Sequence, residues 1–217
     1  METPKVTSTS MTHRNGAHLI GTELTLVEIN SMRFLIMDAP RTNNLHLYLK
    51  EMTKYRVTDV VRVCEPTYPT TDLKNAGIGL HEMEYKDGSS PSPQLIQSWL
   101  QLVESTFFPN PTAGRGAPTK VTPEKNGTDT TTTPTTVPPC IAVHCIAGLG
   151  RAPVMVAIAL IEFANMDSIE AVRFIRERRR GAINQTQIIY LSSYRKQYKK
   201  KNGSVGPSAA NCGCAIM

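Results

Sequence analysis

Apolar positions along the chain follow two periods, and together they predict alternating strands and helices. Short alternating or fully apolar runs at ELTLVEI (23–29) and MRFLIM (32–37) predict two paired strands. TDVVRVC (58–64) is a β-branched run typical of a buried parallel strand. Between these strands, four apolar side chains recur at helical spacing behind a cap at Asn43 or Asn44: Leu45, Tyr48, Leu49 and Met52.

The second half of the chain repeats this alternation. A short strand is expected near residues 81–83, and Ser92 and Pro93 predict the start of a helix that buries Leu95, Ile96, Trp99, Leu100 and Val103. A strand ending at His144 precedes an apolar helix. Two more helices follow, one capped by Asp167 and ended by Gly181, the other over 185–198. The order predicts an α/β fold with a mostly parallel sheet.

Composition divides the chain of 217 residues into one domain with polar appendages. Residues 1–22 lack periodicity and predict a disordered arm, and 23–201 form the domain. Residues 109–139 are rich in Thr and Pro, which predicts a disordered insertion, and 202–217 form a flexible tail. No apolar run is long enough for a membrane span, and the N-terminus does not resemble a secretory signal, so a cytosolic chain is expected.

Positive charge is concentrated near the C-terminus. Residues 173–201 carry a net charge of +9, which leaves −3 for the rest of the chain. Such a segment suits an anionic membrane or a nucleic acid, although a solvated helix face is an equally simple interpretation. No aromatic platform or groove-reading motif accompanies it, so nucleic acid is not expected as a partner.

The segment from Cys145 to Arg151 carries the clearest chemical signal. Five residues, IAGLG, separate the cysteine from the arginine between a strand and a helix. Loop amides and the helix N-terminus can surround a tetrahedral oxyanion, Gly148 and Gly150 permit positive φ, and Arg151 can close the ring with a bidentate fork. Cys145 in that positive field attacks phosphorus as a thiolate. This predicts a phosphatase loop of Cys145 with Ile146, Ala147, Gly148, Leu149, Gly150 and Arg151.

The alternative for this segment is a core cysteine beside an ordinary glycine turn. The fixed spacing in a strand–loop–helix context favours the phosphatase loop. Ala152 stands where most cysteine-dependent phosphatases have Ser or Thr, whose hydroxyl helps the thiolate leave. Slow hydrolysis of a phosphocysteine is therefore expected. The five cysteines do not form a disulfide framework or a metal-site spacing, and no cofactor or metal is expected.

The chain resembles the phosphatases of regenerating liver, the prenylated tyrosine phosphatase type IVA family. The resemblance is carried, in order, by MRFLI, VVRVCEPTY, DGSSPS, IAVHCIAGLGRAPV, ALIE, RFIRERRRGAIN and CAIM, and it covers residues 24–200 apart from the insertion. Ala152 after the arginine is itself a feature of that family. The resemblance implies a compact dual-specificity phosphatase fold, with a central, mostly parallel sheet and helices on both faces.

Two further site residues come from this resemblance. It implies that Asp87 is the general acid for the leaving phenolate, although Met83-Glu84 replaces the family's usual Trp-Pro and Lys86 an acidic neighbour, which leaves a solvated turn as the alternative. It also implies that Cys64 forms a reversible disulfide with Cys145, whereas a core thiol is the simpler interpretation. Cys140 is assigned no role.

The C-terminal CAIM fits a prenylation box and makes Cys214 a farnesylation candidate, unless the match is accidental. One lipid binds membranes weakly, and a basic cluster supplies a second signal: Arg195, Lys196, Lys199, Lys200 and Lys201. Cys212 is either palmitoylated or a bystander. The expected location is then the cytoplasmic face of the plasma or endosomal membranes.

Two classes of function remain open. The first is an enzyme that removes phosphate from phosphotyrosine, from phosphoserine or phosphothreonine, or from a phosphoinositide. The second is a binding module whose oxyanion pocket takes an aspartate of a partner, for which the resemblance implies the CBS-pair domains of magnesium transporters. A homo-oligomer at the membrane is one alternative for the assembly of the chain, beside a monomer.

Overall fold

A computed structural model describes residues 20–109 and 138–198. Most of the predicted arm and insertion, and the whole predicted tail, lie outside these residues. Ile20, Gly21 and Thr22, which were assigned to the arm, contact the domain: the Gly21 N–H donates to the Tyr48 hydroxyl at 3.2 Å. In the described part of the chain, no helix is long and apolar enough to cross a membrane.

Five strands and six helices alternate along the described residues. They are β1 (Thr25–Ile29), β2 (Met32–Met37), α1 (Leu45–Tyr55), β3 (Val57–Arg62), α2 (Thr71–Asn75), β4 (Gly79–Glu82), α3 (Pro93–Phe107), β5 (Cys140–His144), α4 (Arg151–Phe163), α5 (Ser168–Arg178) and α6 (Gln185–Ser193). The sheet order is β1-β2-β5-β3-β4, with β1 antiparallel to β2 and the other neighbours parallel. The predicted α/β class with a mostly parallel sheet is confirmed.

The sheet separates two hydrophobic cores because side chains alternate between its faces along each strand. On β5, Ile141 and Val143 face the core that contains α3, α4, α5 and α6, whereas Cys140 and Ala142 face the core that contains α1 and α2. Helices therefore cover both faces, as predicted. Helix α4 is buried from Arg151 to Glu162, so the helix that follows β5 is the central helix of the larger core.

Several predicted helix starts are confirmed. The side chain of Ser92 accepts from the Leu95 N–H at the start of α3, and Asp167 accepts from the Glu170 N–H at the start of α5. Asn44 is the N-cap residue of α1, but its side chain accepts from the Arg41 N–H instead of from the helix.

Two predicted helix ends are wrong. Helix α6 ends at Ser193 rather than at residue 198, because the Glu162 carboxylate accepts from the Gln197 N–H at 2.7 Å and the Tyr198 N–H at 3.1 Å. Helix α5 ends at Arg178 rather than next to Gly181, because Arg179 adopts an extended conformation and its guanidinium donates to the distant Gly148 and Glu23 carbonyls.

Candidate active site

The carboxyl ends of the three central strands meet at one edge of the sheet, where ligands bind in open α/β sheets. Cys145 follows the last residue of β5, and helix α4 begins at Arg151. The side chains of both residues are buried, with 4% of Cys145 and 2% of Arg151 exposed. The segment between them, residues 145–151, is called the phosphate loop below. The predicted strand–loop–helix context is confirmed.

The carbonyl groups of the phosphate loop point away from its centre, to donors on other segments. The bonds are Ala39 N–H to Ile146 O at 3.0 Å, Arg179 Nη2 to Ala147 O at 3.5 Å, Arg179 Nε to Gly148 O at 2.6 Å and Ile183 N–H to Leu149 O at 2.7 Å. In a planar trans peptide the N–H points opposite to the C=O. The next four amides, from Ala147 to Gly150, therefore face the opposite side, and none of them finds an acceptor among the described residues.

The two loop glycines serve different purposes. Gly148 has φ +66°, and a Cβ there would lie 2.6 Å from the carbonyl oxygen of Met37. It is needed both for the positive φ and for close approach to β2. Gly150 has φ −111°, so the prediction of a positive φ at this position is wrong. A Cβ at Gly150 would lie 3.1 Å from the side-chain amide nitrogen of Gln187 on α6. Close packing against this side chain explains the glycine.

The guanidinium of Arg151 is fixed on one side and available on the other. Its Nη1 donates to the carbonyls of Val63 at 3.2 Å and Tyr85 at 2.9 Å. The Nε atom is buried and makes no hydrogen bond within the described residues, although it lies 3.3 Å from an oxygen of Asp87. A buried donor without an acceptor costs free energy, and an oxyanion in the loop would supply that acceptor.

Asp87 lies beside Arg151 on the connection between β4 and α3. This connection, residues 83–92, is called the acid loop below. Asp87 itself is 78% exposed. Tyr85 anchors the loop, because its hydroxyl donates to the Arg151 carbonyl at 3.0 Å and its own carbonyl accepts from Arg151. The carboxylate predicted as the acid therefore lies at the phosphate loop, and Tyr85 holds it there.

Cys64 lies next to the phosphate loop and is fully buried and reduced. Burial raises its pKa to about 11. The Cys64 side chain is therefore protonated at neutral pH. The Val63 N–H donates to the His144 carbonyl at 3.0 Å, so Cys64 and Cys145 each follow one residue of a hydrogen-bonded pair.

A buried polar network supports the floor of the site. The ring of His144, immediately before Cys145, contacts the Tyr68 hydroxyl at 2.7 Å and the Cys64 sulfur at 3.9 Å. Arg62 donates to the Tyr68 carbonyl at 3.0 Å and pairs with Glu82. Burial, together with the Arg62 charge, lowers the pKa of His144 to about 3, so this imidazole is neutral at physiological pH.

Arg179 and Tyr85 contribute to the site but escaped the sequence analysis. Arg179 belongs to the basic segment interpreted there as a solvated or membrane-facing patch, yet it is buried with 6% exposed. Four arginines in RERRR gave no signal that one of them points inward. Tyr85 follows the unusual Met83-Glu84 pair, and an aromatic residue two positions before the acid was the available clue.

The predicted lipidation sites and the basic cluster belong to the C-terminal part of the chain. Cys212, Cys214 and residues 199–201 lie outside the described residues. Lys196 is described, and its ammonium donates to the Asn165 side chain at 2.5 Å. Among residues 20–109 and 138–198 there is no cluster of three or more His, Cys, Asp or Glu side chains suited to a metal ion.

Comparison with known proteins assigns the family. The chain is 42% identical over 174 residues to a probable protein tyrosine phosphatase type IVA A from Dictyostelium discoideum, a match that covers 80% of this chain and 89% of that protein. It is 37% identical over 191 residues to the human protein tyrosine phosphatase type IVA 3, covering 88% and 94%. The chain belongs to the type IVA (PRL) family. It is therefore a protein tyrosine phosphatase.

Solved structures agree with this PRL assignment. A putative protein tyrosine phosphatase from Leishmania major is similar with a TM-score of 0.65 and 36% identity, over 81% of this chain and all of that one. A kinase associated phosphatase, with a TM-score of 0.54 and 15% identity, shares the fold. No family model matches the chain.

Proposed function

We propose that the chain hydrolyses phosphotyrosine through a phosphocysteine on Cys145. The observation that carries this proposal is the convergence of a cysteine, inward-facing amides, the Arg151 guanidinium and the carboxylate of Asp87 at one sheet edge. Amides and a guanidinium stabilise the charge of a transferring phosphoryl group.

The reaction has two steps. The Cys145 thiolate attacks phosphorus, the S–P bond forms, the P–O bond to the phenol breaks, and Asp87 as the carboxylic acid gives its proton to the leaving oxygen. Asp87 as the carboxylate then removes a proton from water, which attacks phosphorus, breaks the S–P bond and releases inorganic phosphate. The thiolate is regenerated.

The second step is slow in this proposal. Ala152, the second residue of α4, is fully buried and has no hydroxyl to donate to the departing sulfur. The phosphocysteine therefore accumulates. Rapid-quench analysis with a radiolabelled aryl phosphate should show a burst of one acid-resistant phosphate per chain, followed by slow release. Cys145→Ser is the control without a thiol. No burst in the unchanged chain, or the same labelling in the control, would contradict a phosphocysteine.

A second function uses the same pocket as a binding site for a partner's carboxylate. It is favoured by the ion pair at 3.3 Å between Arg151 and Asp87, because the guanidinium beside the pocket already pairs with a carboxylate of the chain. The candidate partner is a CBS-pair domain of a magnesium transporter. Phosphoinositides are the alternative substrates for the enzyme. Arg151→Ala should abolish both partner capture and phosphate release, whereas Asp87→Ala should abolish release alone. Loss of capture in Asp87→Ala would count against an independent binding function.

Redox protection is a further part of the proposal. Peroxide oxidises the Cys145 thiolate to a sulfenic acid, and the Cys64 thiol then displaces water to form a disulfide. The burial of both thiols supports it, as does the contact at 3.9 Å between the Cys64 sulfur and the ring of His144, the residue directly before Cys145. Mass spectrometry after mild peroxide should find the Cys64–Cys145 bond. Finding Cys145 as a sulfonic acid beside free Cys64 would exclude this role.

Membrane anchoring completes the proposal. Farnesyl on Cys214 and the basic residues near the C-terminus together supply the two signals that stable attachment requires. A homo-oligomer at the membrane is the accompanying hypothesis. A farnesyl analogue should label the chain but not Cys214→Ser, and only labelled chain should sediment with anionic vesicles. Equal labelling of Cys214→Ser would refute the assignment.

A further inference from the structure

Arg179 links the phosphate loop to the N-terminal segment of the domain. Besides the loop carbonyls of Ala147 and Gly148, its guanidinium donates to three acceptors. These are the Glu23 carbonyl at 2.7 Å, the Thr25 hydroxyl at 2.9 Å and the Thr22 hydroxyl at 3.2 Å. All three guanidinium nitrogens are thus bound to protein, so Arg179 acts through the loop and not on the substrate.

The two loop carbonyls that Arg179 holds determine where two amides point. The Ala147 carbonyl shares a peptide plane with the Gly148 N–H, and the Gly148 carbonyl shares one with the Leu149 N–H. Because Arg179 binds these oxygens from outside the loop, the two N–H groups face the loop's centre. These are the donors that a bound oxyanion needs.

The rest of the connection between α5 and α6 supports the same loop. Ile183, a β-branched residue, has φ +62°, a conformation that such residues rarely adopt. Its N–H donates to Leu149 O, and its own carbonyl accepts from Arg176 at 2.7 Å. Burial lowers the pKa of Arg179, and the nearby Asp38 carboxylate offsets part of that effect. The connection between α5 and α6 therefore keeps Ile183 in an unfavourable backbone conformation and buries the positive charge of Arg179 where it contacts the phosphate loop.

We infer that Arg179 is a positioning residue whose fork, spanning the Ala147 and Gly148 carbonyls, holds the phosphate loop in its oxyanion-binding conformation. This inference rests on the proposed function and identifies a residue on which its pocket depends. An arginine is required because all three guanidinium nitrogens donate hydrogen bonds at once, which a lysine ammonium cannot reproduce.

The test uses the full chain with inorganic vanadate as the probe. Arg179→Met should weaken vanadate affinity between about 10- and 100-fold and raise KM for an aryl phosphate more than it lowers kcat, because a misplaced pocket loses oxyanion binding. Arg179→Lys should give a smaller but measurable loss. Arg180→Met is the matched control, since Arg180 is exposed and adjacent, and it should match the unchanged chain. Affinities are compared at a temperature where circular dichroism shows every variant folded.

A purely structural arginine would lower the melting temperature but leave vanadate affinity per folded chain unaltered, and that result would overturn the inference. If Arg179→Met does not fold, Arg179→Lys decides, and unaltered vanadate affinity there overturns the inference equally. Failure of the unchanged chain to bind vanadate would overturn the proposed function and the inference with it. Vanadate binding by the unchanged chain together with unaffected Arg179 variants would overturn the inference alone.

Discussion

The phosphate loop and the acid loop lie against each other, yet they are held in opposite ways. The carbonyls of Ile146 to Leu149 are all bound to other segments, and the Cys145 and Arg151 side chains are almost fully buried. Asp87 in the acid loop is 78% exposed, and its carboxylate contacts the Gly88 N–H and Arg151. The comparison separates a preorganised anion site from an accessible proton donor, and this division suits a reaction in which binding and proton transfer have different requirements.

Replacing the guanidinium of Arg151 should give the largest effect, because it removes the preorganised anion binding that distinguishes the phosphate loop from the acid loop. Arg151→Lys should lower kcat/KM roughly 1,000-fold and remove vanadate binding, because a lysine can keep the charge but not the fork. Steady-state kinetics with an aryl phosphate and vanadate titration measure both. Cys145→Ser is the control, since it should lose turnover and keep oxyanion binding. Near-normal vanadate affinity in Arg151→Lys would mean that the fork does not bind the anion.

A substitution in the acid loop should lower turnover and leave oxyanion binding unchanged. Asp87→Asn should lower kcat about 100-fold for a substrate with a poorly acidic phenol, because the leaving oxygen then departs without a proton. Vanadate affinity should stay within about twofold of that of the unchanged chain. The effect should shrink as the phenol becomes more acidic, and a leaving-group series measures this trend. An equal loss across the series would assign Asp87 a role other than general acid.

Adding a hydroxyl at position 152 should have a smaller effect, confined to the second step of the reaction. Ala152→Ser should raise the rate of phosphocysteine hydrolysis about fivefold, since one hydrogen bond to the departing sulfur is worth about 1 kcal/mol. Single-turnover decay of the labelled intermediate measures this rate. Ala152→Val, which adds volume without a hydroxyl, is the control and should not accelerate decay. An unchanged decay rate in Ala152→Ser would show that the missing hydroxyl is not what slows this step.

A feature of the structure could be predicted from the sequence when the residues that determine it lie close together along the chain. The caps at Ser92 and Asp167 and the spacing from Cys145 to Arg151 are local in the chain, and the structure confirms their placement. The end of α6 depends on Glu162, over thirty residues away, and the inward turn of Arg179 depends on carbonyls equally distant. A charge run in a single sequence does not distinguish its buried member from its solvated neighbours.

The smallest expected effect concerns the network beneath the phosphate loop. Burial lowers the pKa of His144 to about 3 from the usual 6.5. Below pH 6.5 the unfolded chain therefore binds a proton that the folded chain excludes, so stability is lost as the pH falls from 6.5 towards 3. Between pH 7 and 5.5 the free energy of unfolding should fall by about 1 kcal/mol through this residue.

Urea unfolding at both pH values, compared between the unchanged chain and His144→Gln, isolates this contribution, because the rest of the chain is the same in both proteins. In the variant, the free energy of unfolding should fall by about 1 kcal/mol less over this pH range, since glutamine cannot take up the proton. An identical pH dependence in both proteins would mean that His144 accepts a proton in the folded state, and the floor of the anion site would then carry a positive charge directly beneath the nucleophile.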